Sequence, residues 1–437
     1  MQQIDTLISA RWVIPIEPAD TVLENYSIAV HDGLILELLP NSKAIEKYQA
    51  THTFNLDEHT VMPGLINTHT HAAMSLMRGI ADDLPLKEWL EEHIWPAEQK
   101  LVTESFVREG GELAIAEMLR SGTTCFSDMY FFPDATAKAA IDTGIRAVIG
   151  LIVLDFPTAW GENADEYLEK GVALHDSCRN SPHIHTAFAP HAPYTVSDGP
   201  LEKIQMLAEE LDIPIHIHLH ETAHEIDESL ELYGERPIQR LWKLGLLGPR
   251  LIAVHMTQLT DEEIELLAEH SVNIVHCPES NMKLASGFCP VNKLIKAGVN
   301  VALGTDGAAS NNDLDMLGEM KTAALLTKGV SGDPTALSAH SALEMATING
   351  ARSLGIDEIT GSLVAGKAAD IIAINLSALE SRPLYNVASH IVYATNRHQV
   401  EEVWVNGKHL LRNRELITLD KEKVKQQAYN WQVKIDH

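Results

Sequence analysis

The stretch Pro63-Gly64-Leu65-Ile66-Asn67-Thr68-His69-Thr70-His71 ends an apolar run in two imidazoles one residue apart. On a strand, side chains at i and i+2 share a face, so both rings can reach a single divalent cation. Spacing alone is weak evidence. With 22 histidines in 437 residues, roughly one His-x-His pair is expected by chance. The chain holds four: His69/His71, His183/His185, His216/His218 and His218/His220. Position separates them. His69/His71 closes its strand behind Pro63-Gly64 and reads as a ligand pair, whereas His183/His185 opens a strand and reads as a packed or surface pair. His216, His218 and His220 share one strand face followed by Glu221, and spacing does not select the ligand among them. His255 ends another apolar run, and Asp306 follows Leu303-Gly304-Thr305. One aspartate after a strand is as easily a helix cap. Ionisable groups at the ends of four strands are harder to explain as caps. Three imidazoles and a carboxylate suit Zn²⁺ or Fe²⁺ with a position left for water, which a bound ion brings from a pKa of ~16 towards ~7.

Such groups need strands that converge. Eight apolar runs lie near Val61–Asn67, Thr123–Ser127, Arg146–Leu151, Ile184–Ala189, Ile213–Leu219, Leu251–His255, Val272–His276 and Val299–Gly304. Amphipathic stretches such as Glu104–Arg120, Pro200–Leu211 and Asp261–His270 alternate with them. The alternation predicts an α/β fold with a parallel (β/α)₈ TIM barrel, whose chemistry sits at the C-terminal ends of the strands. The two chain ends read differently. Asp32-Gly33 and Asn406-Gly407 sit between apolar runs as hairpin turns, and Ala369–Ile374 is a further strand. This pattern predicts a smaller β-sandwich domain from both termini, residues 1–58 and 365–437, around a catalytic barrel of residues 59–364.

Bulk composition sets the remaining bounds. A net charge of −28 argues against nucleic acid and against an anionic membrane surface. Cys125, Cys178, Cys277 and Cys289 contain no Cys-x-x-Cys clip and read as reduced thiols of a cytoplasmic protein. No basic-then-apolar leader and no membrane-length apolar window are visible. Glycine-rich phosphate loops are also missing. Homo-oligomerisation stays open.

With Pro63–His71, His218-x-x-Glu221, His255 and Thr305-Asp306 in view, the chain resembles the amidohydrolase superfamily, in its mononuclear-metal deaminase branch. Leu151-Ile152-Val153 stands where the binuclear branch would carry a bridging lysine. The other zinc deaminase fold needs a Pro-Cys-x-x-Cys pattern that the cysteine spacing excludes. Within the superfamily the chain is most similar to the 5-methylthioadenosine/S-adenosylhomocysteine deaminases. Leu76-Met77-Arg78-Gly79, Trp89-Leu90, Pro96-Ala97-Glu98, Pro190-His191-Ala192-Pro193-Tyr194 and Asn281–Gly287 carry the likeness.

That resemblance implies one metal ion, Zn²⁺ or Fe²⁺, held by His69, His71, His218 and Asp306. It selects His218 from its triplet, and implies Glu98 for the ribose hydroxyls and His191 for the nucleoside. Glu221 would protonate the purine ring, Asp306 would take a proton from the attacking water, and His255 would steady the charge. One departure bears on the substrate. The loop Leu154–Gly161 lacks the arginine that some relatives place after the third strand. The expectation is therefore a preference for 5′-methylthioadenosine over S-adenosylhomocysteine, with adenosine a further candidate. The competing readings are a guanine, pterin or triazine deaminase or hydrolase of the same branch, or a catalytically silent scaffold, which would need a missing ligand.

Overall fold

The computed structural model describes residues 1–435. Two eight-stranded sheets organise the chain. The strands of the first, in chain order, are β1 (Gln2–Val13), β2 (Leu23–His31), β3 (Leu34–Pro40) and β4 (Tyr48–Pro63) from the start of the chain. The second contains β5 (Leu65–Thr70), β6 (Thr123–Asp128), β7 (Arg146–Val153), β8 (Ile184–Pro190), β9 (Ile215–Leu219), β10 (Leu251–His255), β11 (Asn273–His276) and β12 (Val301–Leu303). The end of the chain returns to the first sheet as β13 (Ile371–Asn375), β14 (Val400–Val405), β15 (Lys408–Arg412) and β16 (Glu415–Leu416).

Strands β5 to β12 pair in sequence order, all parallel, with helices between them. Their residues are buried almost without exception, as expected of strands covered on both faces. The sheet closes into a barrel between its last and first strands. Asp306 N donates to His69 O at 3.0 Å and Thr305 N to Asn67 Oδ1 at 3.0 Å, while Asn67 Nδ2 donates to Thr305 Oγ1 at 2.7 Å. Thr68 Oγ1 also bonds Leu303 O across this seam.

The first barrel strand begins later than the apolar run suggests. Val61–Pro63 belong to β4, where they pair with Ile371–Ala373 of β13. The chain passes between the sheets at Gly64, where an added Cβ would lie 2.0 Å from Thr124 Oγ1, so only glycine fits.

The terminal sheet runs β16-β15-β14-β13-β4-β1-β2-β3, joining a block of strands from each chain end at the β13–β4 pair. Both predicted hairpins form. Asp32 and Gly33 have φ of 49° and 78°, and Asn406 and Gly407 have φ of 49° and 73°, the paired left-handed residues of a type I′ turn. The two hairpin tips meet: an added Cβ on Gly407 would lie 2.9 Å from Gly33 Cα. A C-terminal helix, Lys421–Ile435, was not visible from the sequence. Only Val424 and Trp431 on it are buried, too few to give an apolar periodicity. It packs on the helix Glu104–Arg120, where Trp431 Nε1 donates to Glu109 Oε2 at 2.6 Å.

A buried ion pair joins the two sheets. Arg146 at the start of β7 donates to Asp370 through Nε at 2.8 Å, and both side chains are essentially inaccessible. Asp370 Oδ1 also accepts from Asn406 N at 2.7 Å, and its carbonyl accepts from Gly64 N at 3.0 Å. Breaking a buried pair by removing one partner strands the other charge. Arg146→Met should therefore lose about 3–5 kcal/mol of stability, read from the urea midpoint at unchanged slope.

Candidate metal centre and active site

At the C-terminal mouth of the barrel, the side chains of four strand ends converge on one point. His69 Nε2 lies 3.2 Å and His71 Nε2 3.3 Å from His218 Nε2. Asp306 Oδ1 lies 3.3 Å from His69 Nε2 and 3.2 Å from His71 Nε2. His255 groups with His69 and Asp306 on the other flank.

The far side of each ring decides what faces this point. His71 Nδ1 donates to Met129 O at 2.5 Å, and His218 Nδ1 donates to His191 O at 2.7 Å. A carbonyl only accepts, so in each neutral ring the proton sits on Nδ1 and Nε2 carries a lone pair. Asp306 is oriented likewise: Oδ2 accepts from Ser280 Oγ at 2.6 Å and Ser310 Oγ at 2.7 Å, and Oδ1 from Gly307 N at 2.7 Å. Lone pairs and a carboxylate oxygen just over 3 Å apart in a buried mouth repel one another until a cation lies among them. Three imidazoles and one carboxylate suit Zn²⁺, and the bonds at Nδ1 are the outer contacts that metal-binding histidines usually make. The residues therefore fit a single divalent ion.

Without an ion the groups share protons unequally. Burial dominates His69 and takes its pKa down to about 4. Burial also opposes charge on His71, but its hydrogen bond to Asp306 and that carboxylate's charge carry it up to about 9. Strain gathers at the same place. His220, His255 and Asp306 have φ of 52°, 75° and 64°, left-handed values that cost a non-glycine residue on the order of 1–3 kcal/mol each.

Above the metal point opens a cavity of about 680 Å³ lined by His71, Glu98, Tyr130, His191, His218, Glu221, His255 and Asp306 among others. His69 lies beneath it, fully buried. Glu221 Oε2 stands 3.8 Å from His255 Nε2. Burial raises its carboxyl pKa, with His255 opposing. His255 Nδ1 meets Asn281 Oδ1 at 2.8 Å. Glu98, from the helix Trp95–Leu101, is pushed up to about 7 by burial and accepts from Tyr130 Oη at 2.7 Å. His191 Nδ1 is tied to Thr195 Oγ1 at 3.1 Å, which leaves its Nε2 free.

The outer wall is apolar and irregular. The π-helical turn Trp89–Ile94 supplies Trp89, Leu90 and Ile94, and Trp95 and Phe156 face each other with ring centroids 6.4 Å apart. Among the described residues lining the cavity there is no lysine or arginine.

Every residue named from the sequence for the metal or substrate thus lies in or directly under this cavity. The histidine triplet resolves into three environments. His218 faces the metal point, His216 lies behind His69, and His220 turns away to accept from Ile238 N at 3.1 Å. His183 and His185 lie at the opposite, N-terminal end of β8.

Other contributors were not anticipated. Asp128 accepts from Ala72 N at 2.7 Å and Thr70 Oγ1 at 3.1 Å, pinning the turn that carries His71. Its signal was an ionisable residue one position past the expected end of β6. Tyr130 carried no signal at all. Glu225 clamps the backbone at the end of β9, just before its own helix, accepting from His220 N at 2.9 Å and Glu221 N at 2.7 Å. Its signal was the pattern Thr222-x-x-Glu225, which marks a helix start.

The geometry is that of a metal-dependent hydrolase, and sequence comparison agrees. Residues 60–410 match the amidohydrolase family, and the chain belongs to that family. A relative from Saccharophagus degradans, named 5-methylthioadenosine/S-adenosylhomocysteine deaminase, is 53% identical over 99% of this chain and 97% of its own. The crystal structure of an adenosine deaminase from Xanthomonas campestris with bound zinc superposes with a TM-score of 0.99 at 51% identity, covering 100% of this chain and 99% of that one. The zinc complex of atrazine chlorohydrolase from Arthrobacter aurescens follows with a TM-score of 0.90 at 25% identity, over 98% and 99% of the two chains.

Glu225→Ala would leave two buried N–H groups without acceptors, each costing about 1–3 kcal/mol. The variant should unfold at lower denaturant, and kcat should fall because the backbone carrying Glu221 is released.

Proposed function

We propose that this protein is a zinc-dependent deaminase of 5′-substituted adenosines. It would convert 5′-methylthioadenosine to 5′-methylthioinosine, and S-adenosylhomocysteine to S-inosylhomocysteine, with release of ammonia. The observation that carries this reading is the metal point formed by His69, His71, His218 and Asp306 at the floor of a cavity that Glu221, His255 and Glu98 also line. The names borne by the Saccharophagus and Xanthomonas proteins support it.

A divalent ion held there supplies Lewis acidity, lowering the pKa of a water from about 16 to about 7. The chain's own groups do the rest. Asp306, anchored by two serine hydroxyls, takes one proton from the attacking water and later passes it to the leaving amine. Glu221, whose carboxyl pKa is raised by burial, donates to the ring nitrogen beside C6 as the oxygen attacks. It recovers a proton from the C6 hydroxyl when the carbonyl forms. His255, oriented by Asn281, holds the nucleophile beside Glu221. Glu98, oriented by Tyr130, accepts from the ribose hydroxyls, and His191 meets the nucleoside from β8.

The outer wall bears on the 5′ substituent. A homocysteine tail would bring its carboxylate against Phe156, Trp95 and Leu154 with no lining cation to receive it, whereas a methylthio group buries well there. The expected division into a catalytic barrel of residues 59–364 and a domain of residues 1–58 and 365–437 is proposed with one adjustment, since residues 59–63 run on in β4 of the terminal sheet. The same reading places the protein in the cytoplasm, consistent with four free, buried cysteines. No helix among the described residues is long and apolar enough to cross a membrane.

The loss of absorbance that accompanies adenosine-to-inosine conversion tests the reading. Turnover of 5′-methylthioadenosine should disappear on chelation and return with Zn²⁺. Glu221→Gln should keep its metal and lose several orders of magnitude in kcat. Ammonia release from guanine or a triazine, with none from any 5′-substituted adenosine, would replace this reading with a related amidohydrolase. In a separate comparison, kcat/KM should be higher for 5′-methylthioadenosine than for S-adenosylhomocysteine.

A further inference from the structure

We propose that His216 is a positioning residue that sets the tautomer of His69 through a buried relay ending at Ser127, and so makes His69 able to bind the metal. The inference rests on the metal site proposed above. His216 is 0% exposed and lies outside the cavity wall, so it cannot touch a nucleoside. Its Nε2 lies 3.0 Å from His69 Nδ1, and its Nδ1 lies 3.3 Å from Ser127 Oγ. The His69 and His216 rings meet edge to face, with centroids 5.0 Å apart and planes at 72°.

His69 differs from the other two imidazoles at the metal point in what stands behind it. His71 and His218 are backed by the carbonyls of Met129 and His191, which only accept and so fix the ring proton on Nδ1. His69 is backed by another imidazole, which can accept or donate. Two arrangements of the relay are chemically complete. In one, His69 Nδ1–H donates to His216 Nε2 and His216 Nδ1–H donates to Ser127 Oγ, leaving a lone pair on His69 Nε2. In the other, Ser127 donates to His216 Nδ1, and His216 Nε2–H donates to His69 Nδ1. The proton of His69 then sits on Nε2, 3.2 Å from His218 Nε2 and 3.3 Å from Asp306 Oδ1, where it would bar a cation.

Only the first arrangement is compatible with a metal. His216 is thus more than filler behind a ligand: its acceptor nitrogen is what allows the His69 proton to stay away from the metal. Deleting it would also strand the Nδ1–H of His69 in a fully buried position, favouring the tautomer that cannot ligate. Glutamine preserves the logic, since its side-chain oxygen can accept from His69 while its amide donates to Ser127. Leucine fills similar space and preserves nothing of it.

The test uses full-length wild type, His216→Leu, His216→Gln and Ser127→Ala. Each is stripped of metal and titrated with Zn²⁺ against a chromophoric chelator. His216→Leu should bind Zn²⁺ about 10–100-fold more weakly than wild type, the range seen when such outer partners are lost. His216→Gln should recover most of that loss, and Ser127→Ala should weaken binding by less than His216→Leu. At saturating Zn²⁺, KM for 5′-methylthioadenosine should be unchanged in all three variants, because none touches the cavity. Denaturant midpoints of the metal-free proteins separate lost affinity from lost fold, and the folded His216→Gln variant keeps the question decidable if His216→Leu fails to fold. Wild-type affinity in His216→Leu would overturn the relay. So would a folded His216→Gln that binds as weakly as His216→Leu, since the residue would then be packing alone. Failure of the wild type itself to bind one Zn²⁺ would instead overturn the metal site.

Discussion

The seam where the barrel closes is the constraint on which the rest depends. The last strand meets the first through Asp306 N to His69 O and through the paired side chains of Asn67 and Thr305. These contacts complete a parallel sheet that would otherwise present two open edges. They also set a carboxylate beside an imidazole at 3.3 Å, so the same hydrogen bonds that finish the fold align the candidate metal ligands. Close packing is felt in the same layer: an added Cβ on Gly304 would lie 2.8 Å from His69 Cβ.

Around that seam the site divides into a rigid part and an irregular part. Metal-facing groups come from strand ends and are held from behind by carbonyls, serines, an asparagine or, for His69, another imidazole, the kind of outer support that keeps ligands within the narrow tolerance catalysis needs. Strained backbone at His220, His255 and Asp306 is held in place by this surrounding network. The nucleoside side is built otherwise. Glu98, Trp89, Leu90 and Trp95 come from a segment of short helical turns, clasped to the barrel by Lys283 through Asp82 Oδ1 at 2.6 Å and Ala309 O at 3.0 Å. Chemistry is thus assigned to the scaffold, and fit to the substrate to an insertion lying on it.

Much of this was legible in the sequence because of what parallel barrels demand. Strands covered on both faces read as continuous apolar runs, and a polar residue ending such a run is conspicuous. His71, His255 and Asp306 stood out in that way, as did Glu221 after the fifth run. The histidine triplet did not resolve, because a period of two places His216, His218 and His220 on one face. The left-handed turn at His220 and the burial of His216 behind His69 are properties of depth and closure, which spacing does not encode. Tyr130 and Asp128 act through contacts with residues distant in sequence, and Glu225 through the backbone at the end of the strand just before its own helix. The break at Gly64 was hidden because Val61–Pro63 are as apolar as the barrel strand that follows. The C-terminal helix was missed for the opposite reason, since only Val424 and Trp431 on it are buried.

The meeting of Gly33 with Gly407 carries a consequence for biosynthesis. Strand β4 has β1 on one side and β13 on the other, so the first strands off the ribosome keep an unpaired edge until residue 371 has emerged. Their hairpin tip finds its counterpart only after residue 407. The whole barrel must be translated in between, leaving an apolar, hydrogen-bond-hungry edge exposed for most of synthesis, the kind of edge that pairs with other chains when left open. The strands from the end of the chain thus close a sheet begun by those from its start.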